Sequence, residues 1–142
     1  MILTKEKSEC EKNASIIVSK DRGNSREHRA INKERKFEVR QYKLDGNLIK
    51  QKKSCDYLVI NDTSKKAYFI ELKGVNLDEA IPQLEGAEAI VKNELRGFDF
   101  YYRIIVTKVG THKIESNAVR KFKIKHSKKL VYRSRQLIEN LD

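Results

Sequence analysis

The chain has 142 residues, with 31 Lys and Arg against 20 Asp and Glu, for a net charge of +11. That length suits one domain, and a hydrophobic fraction of 39% gathered into compact runs supplies one core and excludes full disorder. No run approaches the roughly 20 apolar residues of a membrane span, and the opening MILTKEKSEC lacks the apolar stretch of a signal peptide, so a cytoplasmic protein without membrane contact is expected.

Residues 1–22 are largely polar, with a short apolar island at Ile16, Ile17 and Val18, and read as an arm or short helix; residues 23–142 read as one domain. Asn24 and Ser25 are cap residues for a polar helix over 26–36. Phe37 to Leu44 is rich in strand formers and runs into the turn Asp45-Gly46-Asn47. Cys55 to Ile60 and Ala67 to Lys73 are two further strands, and the three together predict an antiparallel meander. Leu77 to Leu95 carries apolar residues at helical spacing, with Asn76 and Glu79 as a capping pair and Pro82 near its start. Phe98 to Thr107 is almost continuously apolar, as a strand buried on both faces is. The helix before it allows it to run parallel to the third strand. Ser116 caps a short basic helix, Leu130 to Arg133 is a last strand, and Gln136 to Leu141 a terminal helix or tail. The expected fold is α/β, a mixed central sheet flanked by helices in the order α-β-β-β-α-β-α-β.

The two cysteines, Cys10 and Cys55, form no CxxC, and His28, His112 and His126 are scattered, so neither a disulfide scaffold nor a structural zinc site is expected. The positive excess is uneven: from Arg103 to Arg135 there are eleven basic residues and one acid, Glu115. A basic field of this kind attracts a phosphate backbone. Lys108, Arg120, Lys121 and Lys123 are the first candidates for phosphate contacts, and Lys50, Lys52 and Lys53 the second. No helix-turn-helix, zinc finger or RNA-recognition sheet motif accompanies them.

The stretch from Cys55 to Gly74, CDYLVINDTSKKAYFIELKG, carries the chemistry. Strand residues two apart share a face. Asp56, Leu58 and Ile60 therefore share one face of the second strand, and Ala67, Phe69, Glu71 and Lys73 one face of the third. If these faces coincide, two carboxylates and an ammonium converge at the edge of an apolar layer. Paired carboxylates suit Mg2+, a hard cation that takes oxygen ligands, and the backbone carbonyl of Leu72 offers a third oxygen. Such a metal activates water against a phosphoryl group, and a lysine beside it orients that water or stabilises transition-state charge. The plain alternatives are an exposed ion pair for Glu71 and Lys73 and a strand-entry cap for Asp56.

Asp56 opening one strand, Glu71-Leu72-Lys73 closing the next, then Gly74 and a helix, is a pattern that resembles the PD-(D/E)XK nuclease superfamily over roughly residues 24–107. Cys55 departs from it, standing where the family's name has proline. The resemblance implies a restriction-endonuclease-like fold and metal-dependent cleavage of phosphodiesters, with DNA favoured over RNA. It implies Mg2+ at Asp56 and Glu71, with Mn2+ as a substitute, and Lys73 positioning the water. It also implies an acid from the first helix, for which Glu27 and Glu34 are the candidates, and a supporting glutamine, Gln83. A core this small, without a reading domain, points to recognition of DNA structure, a protein partner that supplies specificity, or a homodimer that cuts both strands. The competing readings are a nucleic-acid-binding protein with a nuclease-like fold but no catalysis, and a regulatory protein whose basic surface meets an acidic one.

Overall fold

Alternating burial sets the first two strands. The computed structural model of the chain describes residues 1–23, 26–74, 76–107, 116–127 and 129–142. In it, β1 (Ile16–Lys20) and β2 (Glu27–Ile31) pair antiparallel, with Ile17 opposite Ala30 and Lys20 opposite Glu27. Ile17, His28, Ala30 and Asn32 are buried, a period of two along β2. The helix expected over 26–36 is therefore absent. A helix there would bury little beyond Ala30 and Ile31, whereas the strand sinks His28 and Ala30 on one face and gains a partner on each edge. Asn32 stops it: the side chain donates to the Ala14 and Phe37 carbonyls and accepts the Phe37 N–H. Residues 1–22 hold β1 and a 3-10 turn at Lys5–Lys7, and they send Leu3 into the core.

The expected meander is present as β3 (Val39–Lys43), β4 (Tyr57–Asn61) and β5 (Lys66–Lys73), successively antiparallel. α1 (Leu77–Val91) starts at Asn76, whose side chain accepts the Asp78 N–H, and carries the chain back to β6 (Asp99–Val106), parallel to β5. Ser116 caps α2 (Asn117–Lys125) by accepting the Val119 N–H. β7 (Leu130–Ser134) completes a five-stranded sheet of order β3-β4-β5-β6-β7. The terminal segment is neither helix nor tail but β8 (Gln136–Asn140), parallel to β2 in a second sheet of order β1-β2-β8. Leu137 and Leu141 are buried and Ile138 is 54% exposed, the alternation of a strand with one covered face. Only Arg135, at φ 67°, separates β7 from β8. Its N–H donates to the Val106 carbonyl and its carbonyl accepts the Glu27 N–H, so one residue ties the two sheets.

The protein is thus mixed α/β, with two sheets and two α-helices among the described residues. It departs from the expected element order at both ends. Among the described residues no helix is long and apolar enough to cross a membrane. Helices and small sheet take opposite faces of the large sheet. Leu58, Ile60, Phe69 and Ile104 pack with Leu84, Val91 and Phe122 on the helix side. Val59, Tyr68, Ile70 and Ile105 pack with Ile17, Ala30 and Leu137 on the other. Covered on both faces, β4, β5 and β6 need the near-continuous apolar runs seen in the sequence.

Two features fix the layers against each other. Arg103 of β6 donates through Nε and Nη2 to Glu139 of β8 at 2.8 and 3.0 Å, and His28 Nε2 of β2 lies 2.6 Å from the same carboxylate. Burial would raise the Glu139 pKa, but hydrogen bonds from His28 and Arg103 bring it down from 4.5 to about 2. On the helix side, α1 lies directly against the backbone before β4: a Cβ on Gly86 would sit 2.2 Å from the Lys53 carbonyl oxygen.

Removing one partner of a buried ion pair strands the other. Glu139→Gln is expected to destabilise the protein by about 3 kcal/mol at neutral pH. Because the folded pKa is depressed, the wild-type advantage holds above pH 4.5 and fades as pH falls toward 2; urea titrations of both proteins across that window check this. Gly86→Ala should cost about 2 kcal/mol by overpacking, seen as a lower thermal midpoint; an unchanged midpoint would show that α1 does not rest on Lys53.

Candidate functional site

The β4–β5 register decides whether the two acids meet. Leu58 pairs with Phe69 and Tyr57 with Ile70, so one step further along the ladder Asp56 stands opposite Glu71. Leu58 and Phe69 face the helices, and by the period of two so do Asp56 and Glu71. β5 runs past the start of β4, and there the Asp56 side chain replaces the missing main-chain partner: its Oδ2 accepts the Leu72 N–H at 2.8 Å. A strand residue directs its N–H and C=O to the same edge, so the Leu72 carbonyl faces the Asp56 edge as well.

Glu71 is 5% exposed, and its Oε1 has no hydrogen-bond partner. Burial, with the charge and hydrogen bonding of Asp56 adding to it, pushes its pKa from 4.5 up to about 9, while Lys73 pulls the other way. The Asp56 carboxyl is also raised by burial, against the Leu72 N–H and a hydrogen bond from Glu71; the charges of Asp21 and Asp45 raise it further. The buried Cys55 thiol is driven well above its ordinary range, first by burial and then by Glu71 and Asp56. The two acids behave as one unit that holds a proton at neutral pH.

Lys73, 29% exposed, places Nζ 3.4 Å from Glu79 Oε2 in the first turn of α1. Gln83 accepts the Ser54 N–H through Oε1 at 3.1 Å. Together with the Gly86 contact, it fastens to α1 the segment that delivers Asp56. The sequence reading of Glu27 as the acid from a first helix does not fit the fold. Glu27 is on β2, on the opposite face from buried His28 and Ala30, and accepts from Arg29 Nε and Gln136 Nε2 at 2.9 and 2.8 Å. Glu34, its alternative, is exposed in a 3-10 turn. The N-terminal acid whose charge acts on Asp56 is instead Asp21. No local pattern marks it; only the β1–β2 pairing brings it near.

Lys50, Lys52 and Lys53 are exposed on the segment between β3 and β4, as are Arg120 and Lys121 on α2. Lys123 is half-buried, its Nζ 4.9 Å from the centre of the Tyr132 ring. Lys108 lies outside the described residues. The Ser116 hydroxyl bonds the Asp78 carboxylate, which joins the N-terminus of α2 to that of α1.

Among the described residues no three His, Cys, Asp or Glu side chains converge as a metal-binding group. The acid pair nonetheless fits a hard divalent cation: two carboxylates and a backbone carbonyl share one edge, and Glu71 Oε1 is a buried oxygen still lacking a partner. No family model matches the chain, and neither a curated protein nor a solved structure matches it at a significant level.

The raised Glu71 pKa has a sign that can be measured. The fold retains a proton that the unfolded chain has released, so the contribution of Glu71 to stability is fully present below pH 4.5 and declines as pH rises toward 9. Glu71→Gln is expected to stabilise the protein at pH 8 by roughly 1–3 kcal/mol and to leave it almost unchanged near pH 4. Thermal melts at both pH values test this, and equal shifts at the two would show that Glu71 is not held neutral.

Proposed function

We propose that the protein is a metal-dependent nuclease of the PD-(D/E)XK type that hydrolyses phosphodiester bonds in DNA. The observation that carries this reading is the pair of half-buried Asp56 and buried Glu71, with one Glu71 oxygen unpartnered, beside Lys73 in a chain of net charge +11. The run β3-β4-β5-α1-β6-α2-β7 is compatible with a restriction-endonuclease-like core. A homodimer or a protein partner remains the proposed source of specificity.

Asp56, Glu71 and the Leu72 carbonyl would hold Mg2+ or Mn2+. Bound there, such an ion polarises a phosphoryl oxygen and acidifies a coordinated water. The chain's own contributions follow from its geometry. Glu71 must give up its proton for both acids to carry charge, and Lys73 favours that loss. Leaving Glu79, the Lys73 ammonium can orient the attacking water or meet the charge developing on phosphate. Gln83 and Gly86 keep the Asp56 segment from drifting away from β5. Lys50, Lys52 and Lys53, with Arg120, Lys121 and Lys123, supply phosphate contacts along the backbone.

Supercoiled plasmid incubated with Mg2+ or Mn2+ should be cut by the wild type. Asp56→Ala and Lys73→Ala should each slow cutting at least about 100-fold while keeping DNA affinity within a few-fold. Binding without cutting by the wild type would favour a non-catalytic nucleic-acid-binding protein, and equal cutting by all three proteins would remove these residues from the site.

A further inference from the structure

The two sheets end on four strands, β3 and β7 in the large sheet and β1 and β8 in the small one. Three of these edges are answered. The N-terminal arm covers β3: the Glu9 N–H donates to the Gln41 carbonyl, and the Val39 N–H to the Lys12 carbonyl. On β1 the Val18 carbonyl accepts Gln41 Nε2 at 2.8 Å, and the Lys20 carbonyl accepts the Tyr57 hydroxyl at 3.0 Å. β7 carries Arg133 between Lys129 and Arg135, and charge of one sign keeps an edge from pairing with its own kind. β8 has no such guard. The Glu27 N–H donates to the Arg135 carbonyl and the Leu141 N–H to the Ile31 carbonyl, which turns the main-chain groups of Leu137 and Glu139 toward β2. Those of Gln136, Ile138 and Asn140 therefore face away, and among the described residues no strand pairs with that side. The same three residues are exposed, Ile138 at 54%. None is charged or proline, in a chain of which 36% is charged.

We propose that β8 pairs antiparallel with β8 of a second copy, about a two-fold axis at Ile138, so that the two small sheets become one. In that register Ile138 stands opposite Ile138, and Gln136 opposite Asn140. Every outward N–H of one strand then meets an outward carbonyl of the other, the self-complementary contact that a two-fold requires. The Ile138 side chains lie side by side on the outer face and shield each other from water. Charge selects both the direction and the partner. Arg135 and Asp142 flank β8 at opposite ends, and the Asp142 side chain is 80% exposed beside Lys66. Antiparallel pairing brings Arg135 of each copy next to Asp142 of the other, whereas parallel pairing would set like charges together. A phosphate backbone calls for cations that this edge lacks. Two chains of net charge +11 approach most readily where neither presents an excess of charge, and β8 is such a place. The pairing rests on β8 alone; its use, one acid pair for each strand of a duplex, rests on the nuclease reading.

Sedimentation equilibrium of the full chain over rising concentration reads the association, and amide hydrogen exchange reads its place. Pairing along one short edge is weak, so the wild type should convert to dimer at concentrations on the order of 100 µM. The amides of Ile138 and Asn140 should gain protection as it does. Ile138→Lys sets two like charges at the axis and should weaken association at least about tenfold. Ile138→Pro removes an N–H that only the pairing uses and should do the same. Thermal melts show whether each variant is folded, and the exchange readout on the wild type decides the matter if neither is. A wild type that stays monomeric to about 1 mM overturns the proposal. So does a dimer without protection at Ile138 and Asn140, or one that a folded Ile138→Lys leaves intact; either places the contact elsewhere, as on the outer face of Ile16 and Val18. Plasmid cutting is scored separately. Cutting by a strictly monomeric wild type removes the dimer and keeps the nuclease reading, and a β8-paired dimer that never cuts does the reverse.

Discussion

The acid pair hangs on β5. This strand is antiparallel to β4 along one edge and parallel to β6 along the other, and it is buried from Ala67 to Leu72. It also outruns β4, so the main-chain groups at its end lose their sheet partner just where burial is still deep. A buried amide left bare is costly, and the Asp56 side chain removes that cost by accepting the Leu72 N–H. The bond that completes the sheet is thus the bond that brings a second carboxylate beside Glu71. Sheet geometry and site geometry are one arrangement, and neither can be altered alone.

That arrangement leaves a debt in stability. Glu71 is held among apolar residues next to another acid, and its Oε1 finds nothing to bond. A glutamine or leucine would suit the surroundings better. On the proposed nuclease reading, that cost is the requirement of a carboxylate kept to hold a metal. The contrast with Glu139 makes the point. It is also largely buried, but it is met by Arg103 on one side and His28 on the other, and its pKa falls to about 2 rather than rising. One buried acid is fully answered and welds two sheets; the other is left open toward the edge where β5 ends.

The middle of the chain was legible in the sequence because its order is local. β3, β4 and β5 follow one another in the chain, α1 announces its buried stripe by spacing, and β6 is too apolar to be anything but a two-sided strand. The common face of Asp56 and Glu71 followed from counting by twos. The second sheet was not legible. β2 is polar, with His28 and Ala30 as its inward residues, and its parallel partner β8 lies over a hundred positions away. Asn24 and Ser25 look like a helix cap to any reading confined to neighbours, and a short strand with one covered face gives too few alternations to overrule them. The same blindness hid Arg103–Glu139 and Asp21, whose relations exist only once β8 and β1 are in place, and it directed attention to Glu27.

Arg135 has a bearing on how the protein comes to be folded. A single left-handed residue lets the ribbon leave the large sheet as β7 and enter the small one as β8 without a loop. The parallel β2–β8 pair closes a loop of 109 positions, from Glu27 to Gln136, and long closures carry the entropic cost that delays folding. The large sheet, with its antiparallel meander and two helical crossovers, can condense first; the small sheet waits for the last strand to swing across.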